Sequence, residues 1–220
     1  MKEVLYKMND QFYLIAKEYD FLNLLMTAGL IFLWRAQLKN LQNEEVDAAL
    51  DLASGTGSNF PYIKARKIFG LDIDPAMLIL QNQRFPSRYS ILASAEKIPF
   101  ENNSFDSIVC SFGFRNFRDV KKVLIEINRT LKSGGKLYIT EIFRSENLFW
   151  EIILKLLFKL YIIPLSKLFS KNPCMYEYFL SSIQRFLTYE EFLSLLNLHG
   201  FRLLRTYHWG PLKILRLIKA

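Results

Sequence analysis

The heptapeptide Asp51-Leu-Ala-Ser-Gly-Thr-Gly57 decides how this chain folds, because it joins an apolar run to a tight glycine turn. The run Val46 to Leu52 leads into the turn, and a second apolar run, Lys67 to Ile73, carries Asp72 near its end. Two glycines let a backbone pass close beneath a nucleoside, since they have no side chain to exclude it. A carboxylate closing the second strand can accept hydrogen bonds from both ribose hydroxyls. The pattern therefore predicts a strand, a glycine turn, a helix start and a nucleoside-binding acid.

Strand-like and helix-like runs alternate through the middle of the chain. The pattern predicts strands at 46–53, 67–73, 88–93, 105–112 and 136–143, with helices at 75–84 and 118–132. The helix after the glycine turn must be short, because Pro61 sits at its start. Such alternation is typical of an α/β protein whose parallel sheet is covered by helices on both faces.

The remaining segments complete the predicted architecture. Residues 1–41 are expected to form an N-terminal helical lid, and 147–186 an apolar helical cap inserted after the core of 46–143. Residues 188–220 are expected to form a terminal helix and a hairpin. The hairpin strands, at 201–208 and 211–219, would extend the core into a Rossmann-like, seven-stranded mixed sheet. A chain of 220 residues suits one such domain.

Charge, cysteine content and the sequence after the glycine turn bear on the partners, the compartment and the cofactor. The net charge of +8 fits a nucleic acid, an anionic membrane surface or only a lysine-rich proteome. The two cysteines, Cys110 and Cys174, show no metal-ligand spacing, so no metal is expected, and Cys110 is predicted to be a buried thiol. With no signal-peptide pattern in the first ten residues, a reduced cytoplasm is expected. The turn continues as Ser58-Asn-Phe60, without the third glycine of the dinucleotide fingerprint, which disfavours a nicotinamide cofactor.

Further motifs give the chain a recognisable family pattern. They are Tyr19-Asp20-x-x-Asn23, the glycine turn, Asp72-Ile-Asp-Pro-Ala-Met-Leu78, Ala95-Glu-Lys-Ile-Pro-Phe100, Asn103-Ser-Phe-Asp106, Ser111-Phe-Gly-Phe-Arg-Asn116, Leu131-Lys-Ser-Gly-Gly135, and Tyr178 with Ser182-Ile183. With them, the chain resembles the ubiquinone/menaquinone biosynthesis C-methyltransferases, a family of class I S-adenosylmethionine-dependent methyltransferases. The resemblance implies methylation of a ring carbon of a prenylated quinol, with demethylmenaquinol preferred. A methyltransferase for another apolar, lipid-like acceptor and a non-catalytic cofactor-binding paralogue are the alternatives.

The cofactor site is expected around the glycine turn and the ends of the strands. Thr56 and the turn amides, including Gly55 and Gly57, would hold the methionine end of S-adenosylmethionine, and Asp72 the ribose. Ser94 and Ala95 would flank the adenine, and Ser111 ends the fourth strand at the edge where α/β ligands bind. Asp51 either reaches the cofactor through water or only orients the turn.

Arg115 is the candidate catalytic residue. Methylating an aromatic carbon requires an electron-rich ring, and a fixed cation beside the quinol oxygen would stabilise the developing phenolate. Arginine stays protonated and cannot itself act as a base. The alternative is a structural ion pair.

The chain departs from the family pattern in ways that leave the acceptor open. Ile31 and Phe32 replace two polar residues of the N-terminal helix, Ser58 replaces a common Asp, Ser94 an Asp or Asn, and Gln184 an Arg.

The segment 147–170 is almost continuously apolar, with Glu151, Lys155 and Lys159 on one helical stripe. It is interpreted as a buried cap helix, a wall of a prenyl-chain tunnel or an interfacial membrane helix. Peripheral association with the inner face of a membrane and a homodimer therefore stay open. Nucleic acid is disfavoured as a partner, because no base-flipping motif follows the fourth strand.

Overall fold

A seven-stranded sheet forms the centre of the computed structural model, which describes residues 19–169 and 174–220. Its strands are β1 (Val46–Leu52), β2 (Ala65–Asp72), β3 (Tyr89–Leu92), β4 (Phe105–Ser111), β5 (Leu131–Ile142), β6 (Phe201–Trp209) and β7 (Leu212–Lys219). They lie in the order β3-β2-β1-β4-β5-β7-β6. Strands β1 to β5 pair in parallel, whereas β7 is antiparallel to β5 and β6. The predicted mixed sheet is confirmed.

Helices precede, connect and extend the sheet. They are α1 (Tyr19–Met26), α2 (Leu30–Leu41), α3 (Pro75–Arg84), α4 (Val120–Thr130), α5 (Leu148–Leu157), α6 (Ile163–Phe169), α7 (Cys174–Arg185) and α8 (Tyr189–Leu198). Helix α3 has the predicted bounds and begins at an N-cap, where Asp74 Oδ1 accepts a hydrogen bond from Ala76 N at 2.8 Å. The helical structure expected for residues 1–18 lies outside the described residues.

The predicted start of β5 and the predicted end of the helix before it were wrong, since α4 ends at Thr130. Strand β5 begins at Leu131 rather than at residue 136, because Leu131 already pairs with Phe105 before the register shifts to pair Ser107 with Lys136. Gly134, with φ of 71°, supplies the left-handed residue within that irregularity. After the glycine turn, the short helix is only a 3₁₀ turn, Phe60–Tyr62. The apolar segment 147–170 is interrupted at its centre by a π turn, Phe158–Ile162.

The strands at the centre of the sheet are buried on both faces. One face of β1 and β4, including Leu50 and Ile108, packs under α4 and α8. The opposite face, including Ala49 and Val109, packs against α2 through Leu38. This double coverage explains the near-continuous apolar runs of the parallel strands. Cys110 is buried as predicted, and burial raises the pKa of its thiol well above the usual value.

A close approach at Gly70 fixes α3 against β2. A Cβ atom at Gly70 would lie 2.6 Å from the amide atoms of Gln81. The Gln81 amide bridges the glycine turn and the sheet, because it accepts from Ser54 Oγ at 2.7 Å and donates to Ser90 Oγ at 2.7 Å. The absence of a side chain at residue 70 therefore lets a buried amide hold the turn in place.

The segments beyond the sheet contact one another. Phe158 and Ile162 of the π turn are buried with Ile183 of α7. The hydroxyl of Tyr161 donates to the carbonyl of Leu25 in α1, at 2.9 Å. These contacts join the N-terminal helices to the apolar segment after β5. Within the described ranges, no helix combines the length and hydropathy needed to cross a bilayer.

Candidate active site

Two cavities open at the carboxyl edge of the sheet, where β1, β2 and β4 end. The smaller cavity, about 160 Å³, is lined by five residues of the predicted cofactor site: Gly55, Asp72, Ser94, Ala95 and Ser111. The larger cavity, about 340 Å³, is mostly apolar and lies between α1, α2, α5 and the π turn. The edge of the sheet thus carries a more polar compartment next to an apolar one.

The two cavities share Ala53, Gly55, Ser111 and Phe112 in their walls. Ala53, with φ of 56°, and Phe112, with φ of 59°, are left-handed although neither is glycine. Such conformations strain a residue that has a side chain, and they concentrate at functional sites. The backbone is therefore strained at the junction between the cavities.

Asp72 is placed to bind a diol in the smaller cavity. Its Oδ2 accepts from Gly55 N at 2.8 Å and its Oδ1 from Asp74 N at 3.0 Å. Each carboxylate oxygen has further lone pairs, so both can also accept from ligand hydroxyls. Burial raises the pKa of Asp72, and the two backbone hydrogen bonds oppose that rise.

The hydroxyls of the glycine turn contact the N-terminal helix. Asp20 of α1 accepts from Thr56 Oγ1 at 2.9 Å and from the Ser58 hydroxyl. It also pairs with Arg84 at 2.5 Å. Thr56 lines the larger cavity rather than the smaller, and Gly57 lines neither. Cofactor contacts by Thr56 and Gly57 stay predictions.

Asp51 lies beneath the glycine turn and is fully buried. Asn59 Nδ2 is 3.3 Å from one carboxylate oxygen and 3.4 Å from the other. Burial raises the pKa of Asp51 to about 7, against the hydrogen bond from Asn59, and the charge of Asp72 adds to the rise. Asp51 lines neither cavity, so its position fits the orienting role. A water-mediated contact with the cofactor stays a prediction.

Ser94 and Ala95 lie at the far end of the smaller cavity, just beyond β3. The Ser94 hydroxyl accepts from Glu96 N at 3.2 Å, which stabilises the turn after the strand. Its contact with the adenine stays a prediction.

Arg115 is held in the wall of the larger cavity by a buried ion pair. Its Nη1 donates to Glu141 Oε1 at 2.6 Å, with side chains only 4% and 0% exposed. The same Nη1 donates to the Phe112 carbonyl at 3.0 Å, and the guanidinium carbon lies 4.4 Å from the Phe179 ring centre. The arginine therefore combines both interpretations: it forms an ion pair and also lines the cavity. Its catalytic role stays a prediction.

Sequence reasoning missed Glu141 and Asp20 as members of the site. Glu141 was detectable as the only carboxylate in β5, whose other residues from Leu137 onward are uncharged. Asp20 lies within a family motif, but its contact with the glycine turn depends on how α1 folds back. In the described part of the chain, no group of three or more His, Cys, Asp or Glu residues could hold a metal ion.

Buried donors in the cavity walls that have no hydrogen-bond partner among the described residues include Trp34 Nε1, Ser111 Oγ and Arg115 Nε. All three residues line the larger cavity. A buried donor without an acceptor is destabilising by about 1–3 kcal/mol. A ligand with several hydrogen-bond acceptors would therefore satisfy these donors.

The departures from the family pattern fall in different places. Ile31 is buried in the wall of the larger cavity, whereas Phe32 is half exposed beside it. Ser58 donates to the carboxylate of Asp20 in α1, and Gln184 lines a separate cleft with Arg144. Of these positions, Ile31 and Ser58 line the larger cavity.

The strand order, the glycine turn after β1 and the acid closing β2 are those of the class I methyltransferase fold. Solved structures share this fold. A SAM-dependent methyltransferase from Thermotoga maritima superposes with a TM-score of 0.70 at 20% identity, covering 97% of this chain and 100% of that one. A methyltransferase from Bacillus halodurans gives a TM-score of 0.62 at 19% identity, covering 79% and 71%.

Sequence comparison defines the family. The ubiE/COQ5 methyltransferase family matches residues 2–211. Demethylmenaquinone methyltransferases from Chlorobaculum tepidum and Thermotoga maritima are 33% and 34% identical, covering 86% and 85% of this chain and 81% and 84% of those proteins. An Agrobacterium fabrum ubiquinone/menaquinone biosynthesis C-methyltransferase is 31% identical, covering 88% and 80%. The chain belongs to the ubiE/COQ5 methyltransferase family, and S-adenosylmethionine is its methyl donor.

Asp72→Asn is expected to weaken S-adenosylmethionine binding by tenfold to a hundredfold, because a charge-assisted hydrogen bond contributes about 1.5–3 kcal/mol. Calorimetric titration measures the affinity. Asp47→Asn is the matched control, since Asp47 is half exposed near the start of β1, at the opposite edge of the sheet. Unchanged affinity in a folded Asp72→Asn protein would remove Asp72 from the site.

The wild-type protein is expected to lose stability as pH rises, because the buried Asp51 must then ionise. Asp51→Asn is expected to abolish this loss. The folded-state pKa of about 7 lies above the usual 3.8, so the folded protein keeps a proton that the unfolded chain releases. The stability from this group is complete below about pH 4 and is lost as pH rises through about 7, by roughly 4 kcal/mol.

Urea unfolding of both proteins between about pH 4 and 8 measures this contribution as the change in their stability difference. Subtracting one protein from the other cancels the titration of the remaining acids. A difference that does not vary with pH would mean that Asp51 is ionised in the folded protein throughout.

Proposed function

We propose that this enzyme methylates a ring carbon of a prenylated quinol, with demethylmenaquinol as the preferred acceptor. The observation that carries the proposal is the larger cavity, which is mostly apolar and reaches the smaller cavity beside the buried Arg115. Apolar pockets with a few placed polar groups are typical of small-molecule sites. A prenylated quinol matches this distribution, since its oxygens lie on the ring and its tail is hydrocarbon.

The names of the relatives support this acceptor. The Chlorobaculum and Thermotoga proteins are named demethylmenaquinone methyltransferases, and the Agrobacterium protein is named for ubiquinone/menaquinone biosynthesis. The chain spans at least four-fifths of each of these relatives.

The residues of the smaller cavity suit S-adenosylmethionine. When bound, this cofactor supplies an electrophilic methyl group on a positively charged sulfur. Asp72 would accept from the ribose hydroxyls with the lone pairs that its bonds to backbone N–H groups leave available. Ser94 and Ala95 would flank the adenine. Together these residues bind and orient the donor at the edge of the sheet.

Arg115 would stabilise the negative charge that makes the acceptor ring reactive. A phenolic hydroxyl has an ordinary pKa of about 10, and a nearby cation favours its ionised form. The phenolate donates electron density to the ring carbon beside it. With the donor bound, that carbon would take the methyl group as the methyl–sulfur bond breaks, and would then release its own hydrogen as a proton. The overall change is one hydrogen exchanged for one methyl group.

Arg115→Lys is expected to keep cofactor affinity and to lower turnover of reduced, short-tailed demethylmenaquinol about a hundredfold. Lysine offers a point charge without the planar fork, and removing one donor at a developing oxyanion typically has this effect. Calorimetry with the cofactor and mass spectrometry of the quinone product measure the two quantities.

Arg129→Lys is the matched control, because Arg129 forms an arginine–glutamate pair with Glu126 at 2.8 Å outside both cavities. It should turn over normally. Normal turnover by Arg115→Lys would make Arg115 structural. A wild-type protein that methylates no quinol would refute the acceptor, leaving another apolar acceptor or a non-catalytic role.

We further propose that the enzyme docks on an anionic membrane surface through α5. No residue of α5 is buried, although nearly all its side chains are apolar. Trp150, Ile153 and Leu157 line the larger cavity. Exposed apolar side chains continue around the helix and into the π turn at Leu148, Phe149, Ile152, Leu156 and Leu160. Contact with the cavity therefore accounts for only part of this apolar surface.

The opposite wall of the larger cavity has the same character. Phe32 and Leu33 of α2 are 50% and 52% exposed, beside the cavity-lining Ile31 and Trp34. Lys155 and Lys159 lie on the solvent side of the apolar segment, and Lys155 is paired with Glu151 at 2.6 Å. Apolar side chains flanked by lysines suit the headgroup region of an anionic bilayer.

The double variant Phe149→Asp/Leu156→Asp is expected to weaken binding to phosphatidylglycerol vesicles at least tenfold, because each apolar side chain contributes up to about 1.5–3 kcal/mol on burial. Vesicle cosedimentation measures binding. Ile79→Asp/Ile125→Asp is the matched control, since both residues are exposed apolar side chains on α3 and α4. Equal losses in the two double variants, or no binding by the wild-type protein, would contradict docking through α5.

A further inference from the structure

Glu141 is a fully buried carboxylate at the end of β5, and it lines neither cavity. Its Oε1 accepts from Arg115 Nη1 at 2.6 Å and from Ile142 N at 2.9 Å, while Oε2 lies 3.4 Å from Arg115 N. Every contact of this carboxylate therefore fixes the arginine or the strand end beside it. The carboxylate reaches the larger cavity only through Arg115.

The ion pair determines which edge of the guanidinium can bind a ligand. Nη1 carries two hydrogens, and they are used by Glu141 and by the Phe112 carbonyl at 3.0 Å. Nε is buried and has no partner in the described ranges. Because the guanidinium is planar and rigid, fixing Nη1 also fixes the direction of the remaining N–H groups.

The ion pair also sets how strongly the cation acts on an acceptor oxygen. An uncompensated guanidinium in an apolar wall would lower the pKa of a bound phenol strongly, since few other groups screen it. A phenolate stabilised that strongly holds its electrons more tightly and is a weaker nucleophile. With Glu141 in contact, the pair has no net charge and its effect on the phenol is moderate.

We propose that Glu141 is a positioning residue that holds Arg115 toward the acceptor and keeps the acceptor hydroxyl at a reactive pKa. This inference rests on the proposed function, in which Arg115 contacts an oxygen of the quinol. Glu141 contributes through the charge and orientation of the arginine and touches neither substrate.

The first experiment compares pH–rate profiles of the wild-type protein and Glu141→Gln with reduced, short-tailed demethylmenaquinol. The amide keeps the shape and one acceptor but removes the negative charge. The midpoint of the acidic limb of the turnover profile should shift to lower pH by about one unit, and the turnover at the plateau should fall about tenfold. Cofactor affinity, measured by calorimetry, should stay unchanged.

Glu141→Asp and Glu126→Gln complete the set. Aspartate keeps the charge on a shorter side chain, so turnover should fall while the acidic limb stays in place. Glu126→Gln breaks the other arginine–glutamate pair, outside both cavities, and should leave the profile unchanged. A lower stability of Glu141→Gln with an unshifted profile would make the pair purely structural and overturn the proposal.

A second measurement does not depend on methyl transfer. 4-Nitro-1-naphthol changes colour on ionisation, so its pKa can be read while it is bound to the protein. Glu141→Gln should lower this bound pKa by about one unit, and Glu141→Asp should not change it. An equal bound pKa in all three proteins overturns the inference. Absence of quinol methylation by the wild-type protein instead refutes only the proposed function.

Discussion

The molecule depends on one constraint of its backbone: β1 and β4 run side by side and must both leave the sheet at the same edge. Asp51 pairs with Val109 near the ends of these strands. After each strand the backbone turns through a left-handed residue that is not glycine: Ala53 after β1 and Phe112 after β4. Phe112 N donates to the Thr140 carbonyl at 2.7 Å, so its turn is anchored to β5. The neighbouring sheet maintains strain that isolated turns would relax.

The chemistry of the site follows from burying charge at this edge. Asp51 and Asp72 lie beneath and beside the glycine turn, and burial raises the pKa of both. Arg115 and Glu141 are buried together, which avoids the large penalty of desolvating either charge alone. Asp72 therefore lines the smaller cavity, and a cation compensated by Glu141 lines the larger one.

Much of the fold could be predicted from the sequence, because strand and helix periodicities are local properties. The glycine turn and Asp72 were recognisable because they lie at the ends of two adjacent strands, β1 and β2. The Glu141 contact was not predictable, because its partner comes from the turn after β4 and meets it only in the folded sheet. The early start of β5 was missed for a related reason: a register shift against β4 makes Leu131 a strand residue ahead of two glycines. Periodicity likewise carried no signal for the π turn at Phe158–Ile162.

The smaller cavity is built on the strand ends and the turns that follow them, whereas most of the larger cavity comes from helices outside the sheet. Substitutions in α2 or α5 can therefore accumulate along a lineage without disturbing the residues that line the smaller cavity. Ile31, buried in the wall of the larger cavity, is one such position. A gene duplicate could diverge toward a new acceptor through such helix positions while inheriting the smaller cavity intact.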